Sequence, residues 1–159
     1  MKNLFSHIDD AGNAQMVNVG DKPDTFRTAI AAGEFQVTRS TYLFIRDGLI
    51  QKGDVLTVAK IAGISAAKKT ADLIPLCHNI PLSYIDVQLT LSEILPGVEI
   101  LAEVRSSGKT GAEMEALTAV SISALTLYDM VKAVEKTAKI QNIRLLRKTG
   151  GMSGDVNNE

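Results

Sequence analysis

Tryptophan is absent from the 159 residues, and phenylalanine and tyrosine bring the aromatic share to only 4%. Proteins that grip single-stranded nucleic acid stack bases on such rings, so few platforms for it exist. Nor is there an excess of positive charge. Seventeen Lys and Arg against 18 Asp and Glu give a net charge of −1, which is no electrostatic footprint for a long phosphate backbone. The single cysteine, Cys77, excludes an intrachain disulfide, and with only His7 and His78 beside it no zinc spacing can be drawn. No apolar run reaches membrane-spanning length, and the start, MKNLFSHIDD, lacks the basic-then-apolar order of a secretory signal. These absences predict a cytoplasmic protein with neither nucleic acid nor membrane as partner. Any chemistry carried by side chains must come from Lys, Asp, Glu, Arg and one His.

What is present is a 45% hydrophobic composition, enough to bury a core in one domain over residues 1–159. The ends, about 1–15 and 150–159, read as mobile because they are polar or rich in Gly and Asn. Met16–Val19 predicts a short strand, the turn GDKP follows, and a second extended segment covers Phe26 to Val37. Ser40 is placed to cap a short helix, TYLFIRD, and Asp54 a longer one, VLTVAKIAGISAAKKTADLI. The connection PLCHNIP is stiffened by Pro75 and Pro81. YIDVQLTLS and VEILAEVRS both alternate and are joined through Pro96-Gly97, which predicts a hairpin with one wet face. After a long apolar helix, IRLLRK closes the chain as a strand. Strands and helices without strict βαβ alternation predict an α+β fold with helices on one face of an antiparallel sheet.

The apolar helix, KTGAEMEALTAVSISALTLYDMVKAVEK, keeps two carboxylates at its start, Glu113 and Glu115, and carries Asp129 and Lys132 further on. Its polar strip (Thr118, Ser121, Asp129, Lys132, Lys136) is narrow, so the helix must be covered on more than one side. A second copy of the chain is the simplest cover for a protein this small. Asp129 and Lys132 are three apart and can meet on the helix surface, either as an ordinary ion pair or as an acid and base in a partly dry crevice. Glu113 and Glu115 are favoured at a helix start by the dipole whatever else they do. SSGKTGAEME imitates a phosphate loop, but the first glycine of that pattern would have to stand at Glu103, so the P-loop reading fails. Lys52 reads on its own as a solvated lysine, His78 as a structural histidine, and Cys77 as a small buried hydrophobe.

Taken together, KTADLIPLCHNIPL, KTGAEMEALTAVSISALTLYDMVKAV and the QKGDV turn resemble the MoaC family of molybdenum-cofactor biosynthesis, and the likeness runs from MVNVGDKP to TGGMSG. The resemblance implies a ferredoxin-like fold and a homohexamer built as three dimers, with sites between protomers. It implies cyclic pyranopterin monophosphate synthase activity: 3′,8-cyclo-7,8-dihydroguanosine 5′-triphosphate, made by an upstream radical SAM enzyme, is rearranged to a cyclic phosphate with loss of pyrophosphate, a lyase reaction without redox change. It further implies Asp129, Lys132 and Lys52 as catalytic residues. Leu76, Cys77, His78, Glu113, Met114, Glu115, Arg27 and Lys148 would bind substrate. No metal site and no cofactor are expected, beyond a Mg²⁺ that could accompany the triphosphate. Asn79, Val131, Thr149 and Met152 depart from the family's common residues, and Met152 removes a cation. The alternatives are a non-catalytic nucleotide-binding oligomer, which would have little need of an acid/base pair, and a scaffold for the upstream enzyme, which would leave the cations unexplained.

Overall fold

The computed structural model describes residues 7–9, 11–151 and 154–158. Twelve residues rich in Ala, Phe and Thr form the central strand β1 (Thr25–Gln36). It is followed by the helices α1 (Arg39–Arg46), α2 (Val55–Ala67) and α3 (Thr70–Leu73), then by β2 (Leu82–Ser92), β3 (Gly97–Gly108), α4 (Glu113–Val131), β4 (Lys139–Thr149) and β5 (Val156–Asn157). The sheet order is β2-β3-β1-β4-β5, with every neighbouring pair antiparallel. Because β3 is antiparallel to both β1 and β2, those two run parallel with β3 between them. That is the split βαβ arrangement of the ferredoxin-like α+β fold.

Both long helices lie on one sheet face. Helix α4 covers β1, β3 and β4, while α2 packs beside α4 and over β2. Val87, Val98, Ile100, Ala102, Val104 and Phe35 point up from the sheet into the core, and Ala116, Val120, Ala124, Leu127 and Val131 point down from α4. Two glycines set the spacing of these layers. A Cβ on Gly33 of β1 would lie 2.6 Å from Val120 Cγ1, and one on Gly63 of α2 would lie 2.9 Å from the Ala119 carbonyl and overlap Ser123. Only glycine lets β1 and α2 come this close to α4. The Ser123 hydroxyl returns the contact by donating to Ala59 O at 3.1 Å.

The alternation of β2 and β3 appears as expected, as does the Asp54 cap, which accepts from Thr57 N at 3.0 Å. Other expectations differ. Residues 16–19 form no strand. The cap of α1 is Thr38, not Ser40. The helix after Asp54 stops at Ala67 and restarts as the single turn α3, because Lys68 closes the first helix and Lys69 leaves helical geometry. The segment 109–112 stays outside α4. At the ends, Ile8 bridges Ala14, and β5 returns to pair with Arg147 and Lys148. The expectation of mobile ends falls partly on residues 1–6, 10, 152, 153 and 159, which lie outside the described residues, and with them the Met152 departure.

Helix α4, at 19 residues, is long and apolar enough to cross a membrane by length and composition alone. In the fold, ten of its residues are buried against the sheet and α2, so its hydropathy is that of a core helix.

Candidate functional site

Helix α4 carries charged groups at both ends. At its last turn Asp129 stands 56% exposed between two ammonium groups: Lys132 Nζ lies 2.6 Å from Oδ1, and Lys52 Nζ lies 2.9 Å from Oδ2 and 2.7 Å from the Asp129 carbonyl oxygen. Lys132 meets Asp129 because residues three apart share a helix face. Lys52 arrives from the loop between α1 and α2. Hydrogen bonds from Lys132 and then Lys52 hold the Asp129 carboxyl well below its ordinary value, at about 2, and Lys132 is raised in return by the same contact. Asp129 is therefore an anion throughout the neutral range.

At the first turn of α4 a cavity of about 310 Å³ opens between the 76–78 segment, the 17–22 segment and the helix start, with Leu76, Cys77, His78, Glu113 and Glu115 in its wall. His78 Nε2 lies 2.8 Å from the Val17 carbonyl oxygen, which fixes the ring. Glu113 pairs with Lys148 of β4 at 3.1 Å, and both are largely shielded. Arg27 donates from Nε to Gly108 O at 3.0 Å and from Nη2 to Lys109 O at 3.2 Å, so it clamps the loop that leads into α4. A Cβ on Gly151, at φ +88°, would overlap that guanidinium. Met114 lies on the outer side of the helix, not in the cavity wall. Cys77 is half-buried, and burial first, then the charge of Glu115, pushes its thiol up, which is the opposite of an activated nucleophile.

Glu115 stands apart. It is 4% exposed, and its Oε2 has no hydrogen-bond partner. Burial pushes its carboxyl from the ordinary 4.5 up to about 7, against a backbone hydrogen bond that lowers it, with Glu113 adding to the rise. A carboxyl whose folded value is raised favours the protonated fold. Its contribution is complete below pH 4.5 and is lost as pH climbs through 7. Glu115→Gln, which cannot ionise, should leave urea stability unchanged near pH 4.5 and raise it by about 2 kcal/mol at pH 8. Equal stability of the two proteins at pH 8 would show that Glu115 is not held as an acid.

The sequence-predicted residues thus fall into two groups. Leu76, Cys77, His78, Glu113, Glu115, Lys148 and Arg27 gather at the start of α4, and Lys52, Asp129 and Lys132 at its end. Glu115 and Asp129 are fourteen residues apart on one helix, which is about 21 Å at 1.5 Å per residue. Sequence reasoning missed Lys22 and Thr110, which also line the cavity. Nothing in the GDKP turn marks Lys22, whereas Thr110 sits in the KTG loop dismissed as a P-loop. Among the described residues no three His, Cys, Asp or Glu side chains converge as a metal set.

A family profile described as the MoaC family matches residues 16–151. A cyclic pyranopterin monophosphate synthase of Clostridium botulinum (strain Alaska E43 / Type E3) is 53% identical over 159 residues, covering the whole of both chains. The protein of the same name from Chloroflexus aurantiacus is 56% identical over 153 residues, 96% of this chain and 94% of that one. The one from Nostoc sp. is 55% identical over 151 residues, 95% and 90% respectively.

Proposed function

This chain belongs to the MoaC family, and we propose that it is a cyclic pyranopterin monophosphate synthase acting in molybdenum-cofactor biosynthesis. The substrate in this reading is 3′,8-cyclo-7,8-dihydroguanosine 5′-triphosphate, supplied by an upstream radical SAM enzyme. A ring hydroxyl attacks the α-phosphorus, the bond to the β-phosphate oxygen breaks, and pyrophosphate leaves with that electron pair. The accompanying ring opening and reclosure need proton transfers without change of oxidation state. It is a phosphorus–oxygen lyase reaction run by general acid/base groups in the cytoplasm.

The observation that carries the reading is the carboxylate of Asp129 held between Lys52 and Lys132. Asp129 stays ionised, so its part is to hold and orient the two lysines. The lysines move the protons, and Lys132 is kept charged by its partner. Lys148, and beyond its loop contacts Arg27, add cationic charge for the triphosphate. Glu113, Glu115, His78, Leu76 and Cys77 take the guanine-derived portion, and Met114, on the outer side of the helix, has no part in it. No resident cofactor is part of the reading, and a Mg²⁺ would arrive with the triphosphate.

In this reading each site draws on two protomers, with the two groups about 21 Å apart along one α4 supplied by different copies. The outer surface of the helical layer supports this: Leu125 is 55% exposed and Ile61 59%, and no charged residue interrupts α4 between Glu115 and Asp129. A twofold contact that crosses two α4 helices antiparallel near Ser121 would bring the cavity of one copy to the Asp129 cluster of the other. Three such dimers make the proposed hexamer.

The test is pyrophosphate release from the cyclic dihydroguanosine triphosphate, beside Lys132→Ala and with GTP as a mock substrate. Release from the cyclic compound alone, lost in the variant, is expected. Tight binding without release would make the chain a non-catalytic nucleotide-binding oligomer, and no binding would make it a scaffold.

A further inference from the structure

Three residues past Lys132, outside both groups of site residues, lies a second buried carboxylate, Glu135, 9% exposed. Its N–H donates to Val131 O at 3.0 Å, as Val134 N–H does at 2.9 Å, so its backbone is part of the turn that closes α4. Its Oε2 accepts from Thr38 N–H at 2.9 Å and from the Thr38 hydroxyl at 2.9 Å, and its Oε1 from the Thr137 hydroxyl at 3.1 Å. Thr38 is the N-cap of α1, where Thr41 N–H reaches its hydroxyl at 3.4 Å. From there the chain runs through α1 and the buried Ile50 to Lys52, whose ammonium returns to Asp129.

The segment 38–52 is therefore fastened to the end of α4 at both its ends. The latch at Lys52 is exposed, and an exposed ion pair alone contributes little and holds two long side chains loosely. The latch at Glu135 is buried and uses charge-assisted hydrogen bonds, roughly twice as strong as neutral ones. The buried latch shortens the tether between Lys52 and Asp129, which raises the effective concentration of the ammonium at the carboxylate.

We propose that Glu135 is a positioning residue for the Lys52–Asp129–Lys132 cluster, acting through Thr38. This rests on the reading of that cluster as the site of proton transfer. A displacement on the order of 1 Å at such a site can cost about 100-fold in rate. Glu135→Ala should lower kcat by roughly 10- to 100-fold with KM within about threefold. Glu135→Gln keeps an oxygen for both Thr38 donors and should recover most of kcat. Thr38→Val, which removes only the hydroxyl, should lose less than Glu135→Ala, and the double variant should be no slower than Glu135→Ala alone, as expected of one shared contact.

All variants are assayed well below their unfolding temperatures, with Asp129→Asn and Lys132→Ala beside them. If Asp129→Asn and Lys132→Ala lose the rate while Glu135→Ala, or Thr38→Val should the former not fold, keeps wild-type kcat, the positioning role is wrong and the cluster stands. A fall in melting temperature with kcat intact overturns the positioning role in the same way. If Asp129→Asn and Lys132→Ala keep the rate, the cluster is not the site of chemistry, and the proposal falls with it.

Discussion

Asp129→Asn should lower kcat by about two to four orders of magnitude, the usual worth of the positioned acid/base lysines that it holds, while leaving substrate affinity and assembly unchanged. The amide keeps one oxygen and can still accept from one lysine, but it turns an N–H group toward the other. The ammonium so displaced loses the anion that holds it, and the lowered, fully ionised state of Asp129 is what that anion supplies. Because this carboxyl titrates near 2, Asp129 contributes no limb to the pH–rate profile between pH 5 and 8. A limb near pH 7 belongs instead to Glu115, whose buried carboxyl changes charge there. The profile of Asp129→Asn should therefore keep its shape while falling in height. Single-turnover measurement of pyrophosphate release across that range checks both statements. A variant within threefold of wild type would remove Asp129 from the mechanism.

The same contrast between Asp129 and Glu115 shows how far the sequence could be read. Their positions on α4 were legible, since carboxylates in so apolar a helix need a reason. Their protonation states were not. The two side chains are chemically alike, and one lies beside two lysines while the other lies in a wall with an orphan oxygen. The second ammonium on Asp129, that of Lys52, comes from 77 positions away, and no local pattern carries that. The cap of α1 fails for the same reason. Thr38 and Ser40 are equal candidates by residue type, and the choice falls to Thr38 because Glu135, 97 positions on, accepts from it. Where the signal is periodic, as in β2 and β3, residue order alone placed each face. The break at Lys68 and Lys69 was unreadable because both lysines are good helix formers, while the chain must turn there toward the 76–78 segment that lines the cavity.

The clearest consequence of a helix with a half-site at each end concerns mixtures. Asp129→Asn removes the cluster at the end of α4, and His78→Ala removes a wall of the cavity at its start. Each homo-oligomer should be inactive, because every site contains the damaged half. In a mixed dimer joined by antiparallel α4 helices, one site collects both lesions and the other collects neither. Random exchange of subunits makes half the dimers mixed, each with one intact site, so about a quarter of wild-type activity should return. The two variants are unfolded and refolded together, and the product is compared with each variant treated alone. Leu125→Glu sets the control. A charge placed on the 55% exposed apolar centre of the helical layer costs nothing in the isolated protomer but must be desolvated in the contact. It should therefore abolish assembly, and with it recovery in the mixture. If the mixture stayed inactive while its subunits demonstrably exchanged, both halves of each site would have to come from one chain. The 21 Å between them lies along a single helix, so α4 itself would have to break in the middle, where Val120 packs on Gly33 and Ala119 and Ser123 pack on Gly63.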